Sequence, residues 1–257
     1  MNDNFTYEDT TRKNDCAIEK ICADYVDTYW LSKGDYAYER IHDISRQIRG
    51  ADVILNRPSH LVIDEKVKID SSGKRGLLDT ILSYPSFELL CKNTTGRYDL
   101  GWLLKGDSIT THYAFISVFS SVDDYHDLSF DNIDRIIYSL IDKQKLLKVI
   151  EKYTGMTIDD LKAKAHSLSM KYNPFRYYDS QEIKTELTEI FFKDSHGKAI
   201  YQTLRPKRKD KPEVPVNLVV RRDLLLKEGI VKDIEISSTR VCFHQFSKEH
   251  ESAPYLY

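Results

Sequence analysis

The sequence has no Cys-x-x-Cys pair. Its four cysteines, Cys16, Cys22, Cys91 and Cys242, are scattered with no histidine pattern beside them, which argues against a structural zinc motif. No apolar run approaches the length of a membrane span, and no apolar leader stands at the start. The chain therefore reads as a cytoplasmic protein with reduced thiols. An excess of charge of one sign is also missing: 38 Lys and Arg against 40 Asp and Glu leave a net charge of −2. A nucleic-acid partner would have to be held by a local basic patch, not by the charge of the whole molecule. No internal repeat is visible.

What is present suits a globular chain. At 257 residues it is long enough for one large domain or two small ones. With 41% hydrophobic and 30% charged residues it is not generally disordered. Seventeen tyrosines supply apolar area with a polar end, and also faces on which bases can stack.

Taken in order, residues 1–14 are polar and read as a flexible N-terminus. Ile18, Cys22, Tyr25 and Tyr29 recur at helical spacing, predicting an amphipathic helix over Asp15–Trp30. Tyr36–Arg49 fits either a helix face or an irregular strand. A loop follows at 70–76, with a short helix at Leu77–Leu82 and a strand at Phe87–Cys91. Trp102–Leu104 and Thr110–Phe119 are expected as an antiparallel pair. Asn132–Leu140 and Lys143–Tyr153 are helical by period, and Thr157 followed by Asp160 marks another helix start. Gln181–Phe192 is expected as helix and Val216–Val220 as strand. The expected fold class is α/β: a mixed central sheet flanked by helices over 15–122, then a largely helical C-terminal region over 123–257.

The chemistry concentrates between Gly50 and Asp70. Asp52 heads the apolar run Ala51–Leu55, a turn follows at Asn56–Ser59, and Leu61–Ile69 forms a second run interrupted by Asp64, Glu65 and Lys66. Two β-branched runs around a Pro-containing turn predict a hairpin. Charges inside such a strand are costly unless paired, metal-bound or facing a cleft. Alternation puts Val62, Asp64, Lys66 and Lys68 on one face and Leu61, Ile63, Glu65, Val67 and Ile69 on the other. If the hairpin brings Asp52 alongside, two carboxylates and an ammonium share one cleft. Two carboxylates suit a hard cation such as magnesium, with the Glu65 carbonyl as a further oxygen ligand. Lysine suits the stabilisation of a pentavalent phosphorus oxyanion. On an exposed sheet face the same residues would be a structural ion pair.

This pattern resembles the PD-(D/E)xK nuclease superfamily, with a restriction-endonuclease-like core. Asp52 stands twelve residues before the Asp64-x-Lys66 triplet, and both acids lie in apolar runs. Ala51 replaces the proline of the family pattern. The resemblance covers roughly residues 15–120. It implies Asp52 and Asp64 as ligands of Mg2+ or Mn2+, beside the Glu65 carbonyl of the strand reading, a catalytic Lys66, and a nucleic-acid substrate, DNA more than RNA. It also implies a helix-borne glutamate, for which Glu19 and Glu39 are the nearest candidates. Gln47-x-x-Gly50-x-Asp52, Phe87–Leu89 and Gly101–Trp102 are similar to a bacterial and phage branch of that superfamily, and homodimers are common among such nucleases.

Accessory candidates are Glu88, as a third carboxylate, and Gln47, as a phosphate or water ligand. Each has an ordinary reading beside it, an edge-strand charge for Glu88 and a surface amide for Gln47. The Pro-bounded loop with Arg205, Lys207, Arg208 and Lys209 either clamps a phosphate backbone or is simply solvated. Tyr172, Phe175, Tyr177 and Tyr178 either stack bases or pack one lobe on another. The alternative to a nuclease is a non-catalytic nucleic-acid- or protein-binding module on the same fold.

Overall fold

Ile18, Cys22, Tyr25 and Val26 are buried at three- and four-residue spacing along helix α1 (Tyr7–Val26), the period of one helix face. The computed structural model describes residues 7–68, 85–92, 98–122, 127–171, 189–193, 199–204 and 216–244. α1 runs on into a π-helical turn, Asp27–Leu31, which buries Trp30 and Leu31. The ambiguous stretch after it resolves into strand β1 (Tyr38–Arg40) and the short helix α2 (Ile44–Ile48). The Asp43 side chain caps α2 by accepting from the Arg46 N–H at 2.9 Å.

The predicted hairpin is present as β2 (Val53–Leu55) and β3 (Leu61–Lys68), paired antiparallel with Val53 opposite Ile63. After β4 (Ser86–Lys92) and β5 (Tyr98–Leu100) comes β6 (His112–Ser120), which runs parallel to β3. Trp102–Leu104 are not the strand partner of β6. They form turns in which the Leu104 N–H donates to Gly101 at 3.0 Å.

The stretch expected as a helix over Asn132–Leu140 is instead strand β7 (Ile133–Asp142). Ile136 to Ile141 are buried without a break, so both faces of the strand are covered. A fully buried β-branched strand satisfies a helical apolar period by accident.

Helices α3 (Lys143–Thr154) and α4 (Ile158–Lys171) occupy predicted positions. At the start of α4, Asp160 accepts from the Thr157 N–H at 2.8 Å and the Thr157 hydroxyl accepts from the Asp160 N–H at 3.2 Å, a reciprocal cap. β8 (Glu189–Lys193) is a strand at the end of a stretch expected as helix. β9 (Ala199–Leu204), β10 (Val216–Val219), α5 (Arg222–Lys227), β11 (Val231–Ile236) and β12 (Val241–His244) complete the chain. Among the described residues, the region after 122 therefore carries β7 to β12 beside its helices.

The strands form two sheets. One, ordered β1-β2-β3-β6-β7-β11-β12, is mixed, with its only parallel pair among the described strands at β3–β6. The other, β5-β4-β10-β9-β8, is antiparallel throughout. The chain divides accordingly into two units. The seven-stranded sheet belongs to residues 19–83, 110–146 and 222–257; the five-stranded sheet belongs to residues 1–18, 84–109 and 147–221. The class is mixed α/β, a mixed sheet flanked by helices. Among the described residues no helix is long and apolar enough to cross a membrane.

Candidate active site at the β2–β3 edge

Asp52 is held just before β2 by its backbone. Its N–H donates to the Ile63 carbonyl at 2.9 Å, and its carbonyl accepts from the Ile41 N–H at 2.9 Å. The approach from α2 turns at Gly50, whose φ of 79° lies where a side chain would be strained. The Gly50 carbonyl is fastened by the Thr110 hydroxyl at 2.6 Å. Asp52 stands just outside the Val53–Ile63 pair, and Asp64 and then Lys66 are the charges that act on its carboxyl most strongly.

Its carboxylate accepts the Glu65 N–H at 2.7 Å. In a strand the N–H and C=O of one residue point to the same edge, so the Glu65 carbonyl also points past the end of β2, next to Asp52. Burial first, and then the Asp64 charge, push the Asp52 carboxyl up to about 7; Lys66 and the Glu65 N–H pull the other way.

Asp64 is 3% exposed and accepts the Lys66 ammonium at 2.5 Å. Burial alone would lower the Lys66 pKa, but the Asp64 and Asp52 carboxylates overcome it and hold the ammonium above its ordinary value. The Lys66 side chain is one-third open to solvent (35%). Glu19 is exposed on α1 and adds, last among the charges, to the negative field at Lys66. Glu39 instead pairs with Arg46 at 2.6 Å.

Glu65 faces the other way, as strand alternation requires. Its carboxylate binds the Arg40 guanidinium and accepts the Tyr138 hydroxyl at 2.9 Å. Arg40 also grips Asp27, and the two carboxylates, Glu65 ahead of Asp27, outweigh burial and hold the guanidinium charged. The Glu65 carboxylate is therefore committed to this network. Only its backbone carbonyl remains for a metal.

Gln47 donates to the Ile41 carbonyl at 2.9 Å, which makes it a brace for the β1–α2 connection. Glu88 lies on β4 opposite Asn217, in the five-stranded unit. The basic loop with Arg205, Lys207, Arg208 and Lys209 and the aromatic cluster from Tyr172 to Tyr178 lie outside the described residues.

Two residues the sequence did not single out stand beside Asp64. Tyr113 is its β6 neighbour in register and is fully buried. Burial first, and then Asp64, push its phenol well up. Lys143 opens α3 with its ammonium 5.7 Å from the Tyr113 ring centre. Burial lowers its pKa while Asp64 opposes that. The position of Lys143 directly after a strand is the available signal, hidden by the helical apolar period of that strand.

Among the described residues no group of three or more His, Cys, Asp or Glu side chains is arranged to hold a metal. Two carboxylates and a strand-edge carbonyl are nonetheless a donor set that fits magnesium, which keeps several waters and takes further ligands from a phosphate substrate. No protein-family model, curated protein or solved structure matches the chain.

Proposed function

We propose that the chain is a metal-dependent nuclease with a restriction-endonuclease-like core, hydrolysing phosphodiester bonds of a nucleic acid, DNA in preference to RNA. The observation that carries this reading is the gathering of Asp52, Asp64 and Lys66 at the end of the β2–β3 hairpin where Asp52 enters it. Asp52, Asp64 and the Glu65 carbonyl would hold Mg2+ or Mn2+. The ion, when bound, acidifies a water and offsets phosphate charge. Lys66 remains protonated beside its carboxylates, so its part is electrostatic stabilisation of the oxyanion and not proton abstraction. Glu19 biases the same lysine toward the charged form. Action as a homodimer in the cytoplasm belongs to the same reading.

The test is a cleavage assay with magnesium and with manganese across single-stranded, duplex and branched DNA and RNA. Asp52→Ala and Lys66→Ala are each expected to abolish cleavage with the circular dichroism spectrum retained. Cleavage that survives in both variants overturns the assignment. One observation favours a second reading, a non-catalytic binding module: Lys66 already closes an ion pair with Asp64 at 2.5 Å. Under that reading both variants bind nucleic acid as the parent does, and no substrate is cut.

A further inference from the structure

On the same unit, a cavity of about 530 Å3 is lined from four directions. The π-helical turn contributes Tyr29 and Trp30, the connection to β1 contributes Lys33 to Tyr36, the β2–β3 turn contributes Pro58, and the β11–β12 hairpin contributes Arg240 and Phe243. β1 and β12 are opposite edges of one sheet, so the sheet curls far enough for residues beside both edges to share one hollow. None of Asp52, Asp64 or Lys66 lines it.

Its walls are flat and built in advance. The Trp30 and Tyr36 rings meet edge-on at 5.5 Å. The Tyr36 ring lies over Gly34 so closely that a Cβ there would fall 2.4 Å from it; glycine at this point is a condition for the wall. Phe243 is 60% exposed although it is large and apolar. Such a side chain on an edge strand at the mouth of a hollow marks a binding surface more than a packing position.

The rim is cationic. Lys33 sits 4.7 Å over the Tyr29 ring, a cation–π contact. Arg240 shares the single Glu235 carboxylate, at 3.2 Å, with Arg135 at 3.8 Å and His244 at 3.3 Å. Two guanidiniums on one carboxylate leave positive charge at that side. Asp35 also lines the hollow and supplies an acceptor, and Ser237 and Thr239 supply hydroxyls. Aromatic faces, a cationic rim and a few hydrogen-bonding groups in a volume of this size match one ligand chemistry: a flat base carrying a phosphate.

We infer that this aromatic hollow binds a nucleotide, its base stacked against Tyr36 and Phe243 with Trp30 behind Tyr36, and its phosphate toward Lys33 and Arg240. The nucleotide is either free or one unstacked residue of a single strand. The site does not depend on chemistry at Asp52 and Asp64, so its test is run without divalent metal.

The sequence has two tryptophans, and Trp102→Phe leaves Trp30 as the single reporter. Adenosine 5′-monophosphate and a short single-stranded oligodeoxyadenylate are titrated separately against the full-length chain, with Trp30 fluorescence as readout. Saturable quenching is expected, weakened about tenfold by Phe243→Ala and by Lys33→Gln and left unchanged by Lys66→Ala. Equal affinity for both probes assigns the hollow to a free nucleotide; tighter binding of the oligonucleotide assigns it to a strand. Absence of saturable quenching by either probe overturns the inference, as does quenching that Phe243→Ala leaves intact. Because Phe243 is exposed on an edge strand, its variant keeps the fold; Gly34→Val, which displaces the Tyr36 wall, is the second check and is expected to weaken both probes.

Discussion

Below about pH 7 the Asp52 carboxyl holds its proton in the folded chain, because burial and then the Asp64 charge raise its pKa from 3.8 to about 7. The unfolded chain releases that proton near pH 3.8. Between these two values the folded state binds more protons, so stability falls as pH rises and levels off above about 7. Without divalent metal, urea unfolding should lose on the order of 4 kcal/mol across this window from Asp52 alone. Asp52→Asn should remove that part of the slope. Added magnesium, which needs the ionised form, should stabilise the parent more at pH 8 than at pH 5.5. Arg40 works on the opposite face of the same strand. With 14% of its side chain exposed, it answers both Asp27 and Glu65, so Arg40→Ala leaves two carboxylates stranded and should cost about 3–5 kcal/mol in denaturant unfolding. The direction of Glu65 was legible in the sequence from strand parity. Its partners were not, since Arg40 is 25 residues away and Tyr138 is 73, and no local pattern links them.

At the scale of elements, the hairpin β2–β3 and the capped start of α4 were legible because their signals are local: alternation, a Pro-containing turn, and a Thr157–Asp160 pair. β7 was not, because Ile133, Ile136, Ile137 and Leu140 satisfy a helical period while being buried on both faces of a strand. Tertiary burial overrode the pattern. Gly101 shows how closely a turn approaches a strand. A Cβ there would stand 2.5 Å from the Glu88 carbonyl oxygen, and backbone cannot swing aside as a side-chain tip does. Gly101→Ala should therefore lower stability by about 1–3 kcal/mol. Gly106→Ala, with nothing within 4 Å of the added carbon, should change it by no more than about 0.5 kcal/mol. Thermal unfolding of the two variants side by side separates them.

At the scale of the whole molecule, the seven-stranded unit is threaded from three segments, and the five-stranded unit is made from excursions out of it. The chain leaves after β3, builds β4 and β5, returns as β6, leaves again within α3, and returns as α5, β11 and β12. Such interleaving cannot be read from composition, because no linker marks a crossing and sheet partners are far apart in sequence. It has a physical consequence. β11 pairs with β7 over Val231–Ile236 and covers the strand edge beside Ile136–Ile141. Ending the chain at Arg221 removes α5, β11 and β12, and turns a fully buried apolar strand into a bare edge open to pairing with another chain. The truncated protein should aggregate or lose its cooperative urea transition, even though Asp52, Asp64 and Lys66 are all still present. A truncated chain that elutes as a monomer and unfolds cooperatively would show that β7 does not need its partner. In that case the hairpin with Asp52, Asp64 and Lys66 rests on β6 and β7 alone.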